Sequence, residues 1–460
     1  MSLYTQLCTQ WVFPLHERLK GHSSVAWRRQ LEESQWWSAD ALQALRTKRL
    51  RNFLVAIGQR VPYYRDLFRQ HHFDPAHVGS IADLRALPLL QKSDIRAHVD
   101  AFKAQDHGPL TRYNTGGSSG EPLVFYMGRA RKSHDVAAKW RATRWWGVDI
   151  GDPEMVVWGS PIELGAQDRL RRLRDGVLRS RLLGAFDMSQ ENLDRYVAAI
   201  VRARPKMLFG YPSSLALIAD HACQRNVSLN QCGIDVVFVT SERLYDGQRE
   251  RISTVFGCPV ANGYGARDAG FIAHQCPSGS LHISAEDIVV ETLRPDGQAA
   301  ADGEVGEIVV THMATQDFPF VRYRTGDMGA LSGQPCACGR GLPVLGKLEG
   351  RSTDFVVARD GTVLHGLALI YTLRDLPEIA QFQIRQVSSE LTQVKVVCPA
   401  ELAATSRARI VRDFKARLGD AVEIRVEQVA GIAPESSGKY RYVISQVDAF
   451  ANRGGHLHHA

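Results

Sequence analysis

The 460-residue sequence has no uninterrupted apolar stretch approaching the ~18 residues of a membrane-spanning helix, so no span is expected. Its start, MSLYTQLCTQWVFPLHERLKG, lacks a basic segment followed by a long apolar core. No secretory signal is read there, and the cytoplasm is the expected compartment. Cysteine is scarce: there are eight, and only Cys336 and Cys338 are close in sequence. In a reducing compartment such a pair suggests metal ligation more than a disulfide. Internal repeats and low-complexity linkers are lacking too. A net charge of +7 is mild for this length; it suits an anionic small ligand such as a nucleotide and gives no reason to expect nucleic acid.

What is there is ordinary globular composition, 44% apolar and 23% charged, at a length that implies two or three domains. Residues 1–110 read as helices. In "SADALQALRTKRLRNFLVAIGQRV" Ser38 is the N-cap candidate, and Leu42, Leu45, Leu50, Phe53, Leu54 and Ile57 recur at three- and four-residue spacing. "VPYYRDLFRQ" is a proline-started helix, and another begins after Lys92 with Ser93 as its cap. Across 111–349, strand-like runs ("EMVVWGS", "KMLFGYP", "DVVFVTSE", "CPVANGYG") alternate with helical stretches, which predicts an α/β core with mostly parallel strands. "HISAEDIVVETL" and "GEIVVTHM" follow without long helices and predict a β-rich, more antiparallel end. Residues 350–448 read as a small, mobile α+β domain, and 449–460 as a frayed tail.

Two phosphate- or ester-type patterns are decoys. Gly116 to Gly120 in "RYNTGGSSGEPLVFYM" spells G-x-S-x-G, but a nucleophile elbow turns from a strand straight into a helix. Here Ser118 is followed by Gly120, Pro122 and the strand formers "LVFYM", so a serine hydrolase is not expected. "GLPVLGKL" (341–348) satisfies G-x-x-x-x-G-K, yet Leu348 stands where Mg²⁺ binding requires Ser or Thr. The same Gly/Ser loop suits a different task. Successive backbone N–H groups form an anion-binding concavity, and Thr115, Ser118 and Ser119 add hydroxyls.

Four further motifs carry weak individual signals. "NGYGARDAG" (262–270) places Tyr264, able to stack on a purine, near Asp268, a carboxylate suited to Mg²⁺ beside phosphates. "RYRTGDMG" (322–329) ends in Asp327, able to accept two ribose hydroxyls. "GRSTDFVV" (350–357) sets Arg351 at the domain boundary, and "PESSGKYRYVI" (434–444) presents Lys439 on a loop entering the last strand.

In this order and spacing the motifs resemble the adenylate-forming enzymes, and most closely the phenylacetate–coenzyme A ligase branch with its CapK-type relatives. "LPLLQKSDIR", "NTGGSSGEPL", "FGYPSSL", "VTSERL", "FPFVRYRTGDMG", "CACGRGLP" and "SGKYR" select that branch. The resemblance implies that ATP and a carboxylic acid give an acyl-adenylate and pyrophosphate, and that coenzyme A then accepts the acyl group. Transfer to a sugar or other nucleophile and a non-catalytic nucleotide-binding scaffold are the competing readings. Retention of Lys439 and of the phosphate loop argues against the scaffold.

By the same resemblance Thr115, Gly116, Gly117, Ser118, Ser119 and Gly120 hold the β/γ-phosphates, and Tyr264 with Gly265 packs on adenine. Asp327 binds ribose, and Ser241, Glu242 and Arg351 contact the nucleotide. Tyr211, Pro212 and Gly263 line the acid pocket, while Lys439 bridges carboxylate and phosphate and Asp268 serves Mg²⁺. Three positions depart from the family pattern: Asp268 replaces Glu, Thr353 replaces an acidic hinge residue, and Glu121 replaces a lysine.

Cys276, His282, Cys336 and Cys338 make a candidate Cys₃His zinc site, with His274 as the competing nitrogen. "QDRLRRLRDGVLRSRLLGAF" (167–186) reads as an amphipathic helix with Leu170, Leu173, Val177, Leu178 and Leu182 on one stripe. It is read first as a solvated helix, with peripheral contact to a membrane or to polysaccharide-synthesis partners, and a homodimer, left open.

Overall fold

In a computed structural model, residues 2–115, 123–158, 168–185, 188–351, 355–360, 363–365, 367–433 and 441–447 are described. The N-terminal region is helical through Ala97. Ser38 accepts the Ala41 N–H at 3.3 Å and starts the helix Ala39–Arg60, whose Leu42, Leu50, Phe53, Leu54 and Ile57 are buried. Pro62 opens the helix Pro62–Gln70, where its missing N–H costs nothing. The expected cap at Ser93 is corrected. Gln91 caps the helix Lys92–Ala97, because the Asp94 carboxylate reaches back to accept the Gln91 N–H at 2.8 Å.

Strands begin with β1 (Thr111–Asn114) and β2 (Val124–Met127), an antiparallel hairpin. Then come β3 (Glu154–Trp158), β4 (Ser180–Gly184), β5 (Met207–Gly210), β6 (Val236–Thr240) and β7 (Val260–Ala266). They continue with β8 (Gly270–Gln275), β9 (Leu281–Ile283), β10 (Ile288–Leu293), β11 (Gly306–His312), β12 (Tyr323–Ser332) and β13 (Val344–Arg351). One eleven-stranded sheet takes them in the order β10-β11-β12-β13-β9-β8-β7-β6-β5-β3-β4. From β4 to β7 every pairing is parallel. From β7 to β10 every pairing is antiparallel, so the β-rich end continues the same sheet. The parallel strands are short all-apolar runs such as β6, buried at all five positions, because helices cover both faces.

The amphipathic helix expected over 167–186 is shorter than its sequence pattern. It spans Asp168–Val177, Arg179 turns the chain at φ 55°, and the next residues form β4, where Leu182 pairs with Val156. A free backbone edge on β3 competes with helix propagation for these residues, and pairing wins. Leu170 lies where side chains are not described.

Beyond the large sheet, β14 (Phe355–Val357) and β15 (Val363–His365) form a hairpin. β16 (Gln381–Gln386), β17 (Leu391–Val397), β18 (Glu423–Gln428) and β19 (Val443–Ser445) make a four-stranded sheet in the order β18-β17-β16-β19. Helices Leu367–Arg374 and Ala404–Leu418 pack on it around Ile384, Val394, Val396, Ile410 and Phe414. This unit meets the large sheet at Tyr245, whose ring packs edge-on against Tyr442 at 5.5 Å, with the Arg374 guanidinium over both rings.

Candidate active site

The carboxyl ends of parallel strands are where open α/β sheets bind ligands, above all where the strand direction changes. In this sheet that point is β7, parallel to β6 and antiparallel to β8. Among the described residues, the predicted Tyr211, Pro212, Ser241, Glu242, Gly263, Tyr264 and Gly265 lie on β7 or just past the ends of β5 and β6. Trp158 ends β3, and its ring stacks on Tyr211, just past β5, at 4.4 Å. Tyr211 and Pro212 are buried at the start of the helix Pro212–Gln224. Glu242, just past β6, accepts the Ser213 N–H of that helix start at 3.1 Å. Ser241 takes φ +70°, a left-handed conformation costing about 1 kcal/mol for a residue with a side chain. Strain of this kind clusters at functional sites.

On β7, Gly263 and Gly265 allow close approach. A Cβ on Gly263 would come within 2.7 Å of the Phe238 ring, and one on Gly265 would collide with the Gly270 carbonyl. Between them Tyr264 donates its hydroxyl to Asp327 Oδ2 at 2.9 Å, joining two motifs 63 residues apart. Asp327 lies on β12 directly opposite Arg351 on β13. Arg267 donates to the Asn114 carbonyl at 3.3 Å, which brings the β1–β2 hairpin to the same edge. At the hairpin end, Thr115 N–H donates to the Leu123 carbonyl, and Leu123 N–H donates to Thr115 Oγ1, both at 3.0 Å. The Thr115 hydroxyl keeps its own proton for another acceptor. The next described element after Ser118 is β2, a strand paired with β1, whereas a nucleophile elbow turns directly into a helix.

Gly116, Gly117, Ser118, Ser119 and Gly120 lie outside the described residues, as do Lys439, Thr353 and the Arg351 side chain. Tyr442, three residues after Lys439, is seated on Tyr245, close in sequence to Ser241 and Glu242.

Asp268 is only 5% exposed and both its oxygens are engaged. Oδ1 accepts the Ala269 N–H at 3.1 Å, and Oδ2 accepts the Tyr323 hydroxyl at 2.5 Å. Sequence reasoning missed what holds this turn. Arg131 is buried and donates to the carbonyls of Arg267 and Asp268, both at 3.3 Å, and its Nε donates to Asp135 at 2.9 Å. Burial would raise the Asp135 pKa, but Arg131 and the imidazole rings of His134 and His312, each 3.8 Å away, hold it far below the usual carboxylate range. The available signal was the helix Arg129–Arg144 itself. Arg131, Ser133, His134, Arg141 and Thr143 are buried in a segment with no apolar stripe, a pattern that marks an internal polar network.

His312 belongs to this network, and burial pushes its pKa down to about 3, with Arg131 and His134 opposing its charge and Asp135 favouring it. The unfolded chain binds that proton near the ordinary 6.5 and the native chain does not, so acid favours unfolding below about pH 6.5. This one group is expected to remove about 1.4 kcal/mol between pH 7.5 and 5.5. Denaturant titrations of the wild type and His312→Gln at both pH values check it. The variant should lose less stability on acidification, and equal losses would contradict the assignment.

A second cluster lies between the β8–β9 turn and the β12–β13 loop. One donor atom each from Cys276, His282, Cys336 and Cys338 lies within 4.8 Å of all the others. Cys276 and Cys336 sulfurs are 3.7 Å apart, against roughly 3.8 Å for two thiolates bound tetrahedrally at ~2.3 Å. His282 Nδ1 lies 3.2 Å from the Leu342 carbonyl, which fixes the proton there and turns the Nε2 lone pair toward Cys338 Sγ at 3.2 Å. A backbone carbonyl behind a ligating histidine is the usual orienting partner. Burial would raise the Cys336 thiol, yet hydrogen bonds from Ser280, Cys338 and Cys276 leave it at about 7. His274 is not part of this cluster. It stacks on Phe271 at 5.6 Å, and burial pushes its pKa down to about 3.

The chain has relatives among known proteins. Residues 356–446 match the family model of the CapK C-terminal domain. The chain is 24% identical over 414 residues to the protein CapK of Staphylococcus aureus, covering 88% of this chain and 89% of that one. It is 25% identical over 442 residues to a phenylacetate-coenzyme A ligase of Thermus thermophilus, covering 88% and 96%. Its fold is shared with 2-hydroxyisobutyryl-CoA ligase, solved in the postadenylation state with 2-HIB-AMP, at a TM-score of 0.71 and 21% identity over 91% of this chain and 92% of that one.

Proposed function

We propose that this chain, a homologue of CapK and of the phenylacetate–coenzyme A ligases with a CapK-type C-terminal domain, activates a small carboxylic acid with ATP and passes the acyl group to coenzyme A. The observation that carries the reading is the Tyr264–Asp327 hydrogen bond at the carboxyl end of β7. It unites a ring suited to adenine and a carboxylate suited to ribose at the sheet's switch point, beside the hairpin end that carries Thr115.

In the first half-reaction a carboxylate oxygen attacks the α-phosphorus, and the bond to the bridging oxygen of pyrophosphate breaks. Two anions must meet, so the main task of the protein is positioning and charge neutralisation. We assign the Gly/Ser loop to the β/γ-phosphates, Arg351 to the nucleotide and Lys439 to the meeting point of carboxylate and phosphate. Mg²⁺ would supply further charge neutralisation. With Tyr323 and Ala269 on its two oxygens, Asp268 fits an outer role that orients a metal-bound water better than direct ligation. The Cys276, His282, Cys336 and Cys338 cluster is assigned to structural zinc, because it closes four donors and leaves no position for substrate. Protein purified without chelator should hold about one zinc per chain and Cys338→Ser much less. Equal zinc in both, measured by elemental analysis, would remove the assignment. We assign the protein to the cytoplasm, the compartment that supplies the ATP and coenzyme A of the proposed reaction.

Pyrophosphate release across a panel of aryl, fatty and hydroxy acids, with and without coenzyme A, tests the function. The expected result is acid-dependent release with acyl-CoA as product. Release without thioester formation would instead favour the second reading, transfer to a sugar or another nucleophile. Silence with every acid would favour a nucleotide-binding scaffold.

A further inference from the structure

The N-terminal segment carries an apolar ridge that no other part of the described residues covers. Leu3, Leu7, Trp11, Leu15 and Leu19 recur at every fourth position and are 85%, 50%, 70%, 60% and 80% exposed. A plain α-helix advances about 400° in four residues, so across these sixteen steps the ends of such a series would drift about 160° apart. The helix here runs Leu3–Leu7, then a π-turn Cys8–Val12, then Phe13–Leu19. A π-turn holds about one extra residue and takes up most of that drift, so the five side chains share a face.

The opposite face is fixed to the protein. Thr5 donates to Asp152 at 2.7 Å, Tyr4 donates to the Val177 carbonyl at 2.7 Å, and Phe13 packs edge-on against Trp140 at 5.0 Å. The ridge is therefore held in place on the surface of the protein. Through Val177 it adjoins the helix Asp168–Val177, whose Leu173 is also 70% exposed.

Its rim is cationic. Arg18, Lys20, Arg129, Arg179 and Arg181 are exposed, and Arg179 lies over the Tyr4 ring at 4.2 Å. Between residues 2 and 31 the one acid is Glu17, buried at 4%. A second copy of this chain would set cations against cations with no exposed carboxylate from this segment to pair them. An anionic surface answers both features. Leucines and a tryptophan enter the headgroup–acyl boundary, and arginines and lysines meet lipid phosphates.

We propose that the Leu3–Trp11–Leu19 ridge and its basic rim dock the protein on an anionic phospholipid bilayer. The contact is peripheral, since among the described residues no helix is long and apolar enough to cross a membrane. Catalytic groups gather at the carboxyl edge of the sheet and none lies on the ridge, so docking and catalysis are separable.

The test is co-sedimentation of the full chain with phosphatidylcholine vesicles, with and without ~30% phosphatidylglycerol, at low salt and near 0.5 M salt. Binding to the anionic vesicles alone, weakened by salt, is expected. The variant Leu7→Ser/Trp11→Ser is expected to lose at least ~10-fold in partitioning, with melting temperature and pyrophosphate release unchanged, because both side chains are already exposed. Arg18→Glu/Lys20→Glu should lose binding as well. Quenching of wild-type tryptophan emission by brominated lipid, lost in the Trp11 variant, provides an independent support. The proposal is overturned by no binding, by equal binding to neutral vesicles, by full binding of the variants, or by a wild-type dimer in sedimentation velocity that the Leu7/Trp11 variant abolishes.

Discussion

Lys439→Ala is expected to lower acid-dependent pyrophosphate release by at least ~100-fold while ATP still binds. The carboxylate and the α-phosphate approach as two anions, and a cation in the role proposed for Lys439 is most needed when the new bond is half formed. An interaction made chiefly in the transition state lowers kcat, with little change in the ATP dissociation constant. Lys439→Arg keeps the charge but places a planar fork where a point charge is required, so it is expected to recover only part of the rate. Second-half-reaction rates, measured by supplying the acyl-adenylate with coenzyme A, should change far less, because no anion then attacks phosphorus. Wild-type rates of pyrophosphate release in Lys439→Ala would remove the residue from the mechanism.

Asp327→Ala carries the next largest effect, and it falls on binding. In the proposed role this half-buried carboxylate would accept two ribose hydroxyls in charge-assisted hydrogen bonds, each worth about 1.5–3 kcal/mol. Their loss is expected to weaken ATP at least ~100-fold. Tyr264→Phe separates positioning from contact. It removes the 2.9 Å hydrogen bond to Asp327 and keeps the ring, so ATP should weaken only about 5- to 10-fold. Calorimetric titration of ATP into both variants distinguishes the two. Equal affinity in Asp327→Ala and wild type would contradict the ribose assignment.

Much of this was legible in the sequence because local chemistry and global fold agree. The alternation of apolar strands and helical stretches gave the α/β core, and Ser38 and Pro62 marked helix starts by rules that need no tertiary context. The motifs around Tyr264 and Asp327 were visible singly, and the hydrogen bond between them is a product of strand order, which spacing does not encode. The same holds for the cysteine–histidine cluster, where the β8–β9 turn meets a loop some sixty residues away.

What stayed hidden depends on competition or on burial. Leu182 fits a helical stripe and sits in β4, since the open edge of β3 outweighs local periodicity. Asp94, and not Ser93, determines a helix start because its carboxylate can reach back one turn. Arg131 and Asp135 look like surface charges on a polar helix, and only the sheet packed against that helix makes them internal. The N-terminal ridge was missed for the converse reason, because a periodic apolar series is normally read as core and this one faces solvent.

The central claim is that a carboxylic acid and ATP react at the carboxyl end of β7 to give an adenylate. Exchange of labelled pyrophosphate into ATP, run without coenzyme A, reads that step alone because the adenylate forms reversibly. The account predicts exchange that requires an acid substrate, disappears in Lys439→Ala and needs far more ATP in Asp327→Ala. Exchange that proceeds equally in those variants, or its absence with every acid although ATP binds, would contradict it.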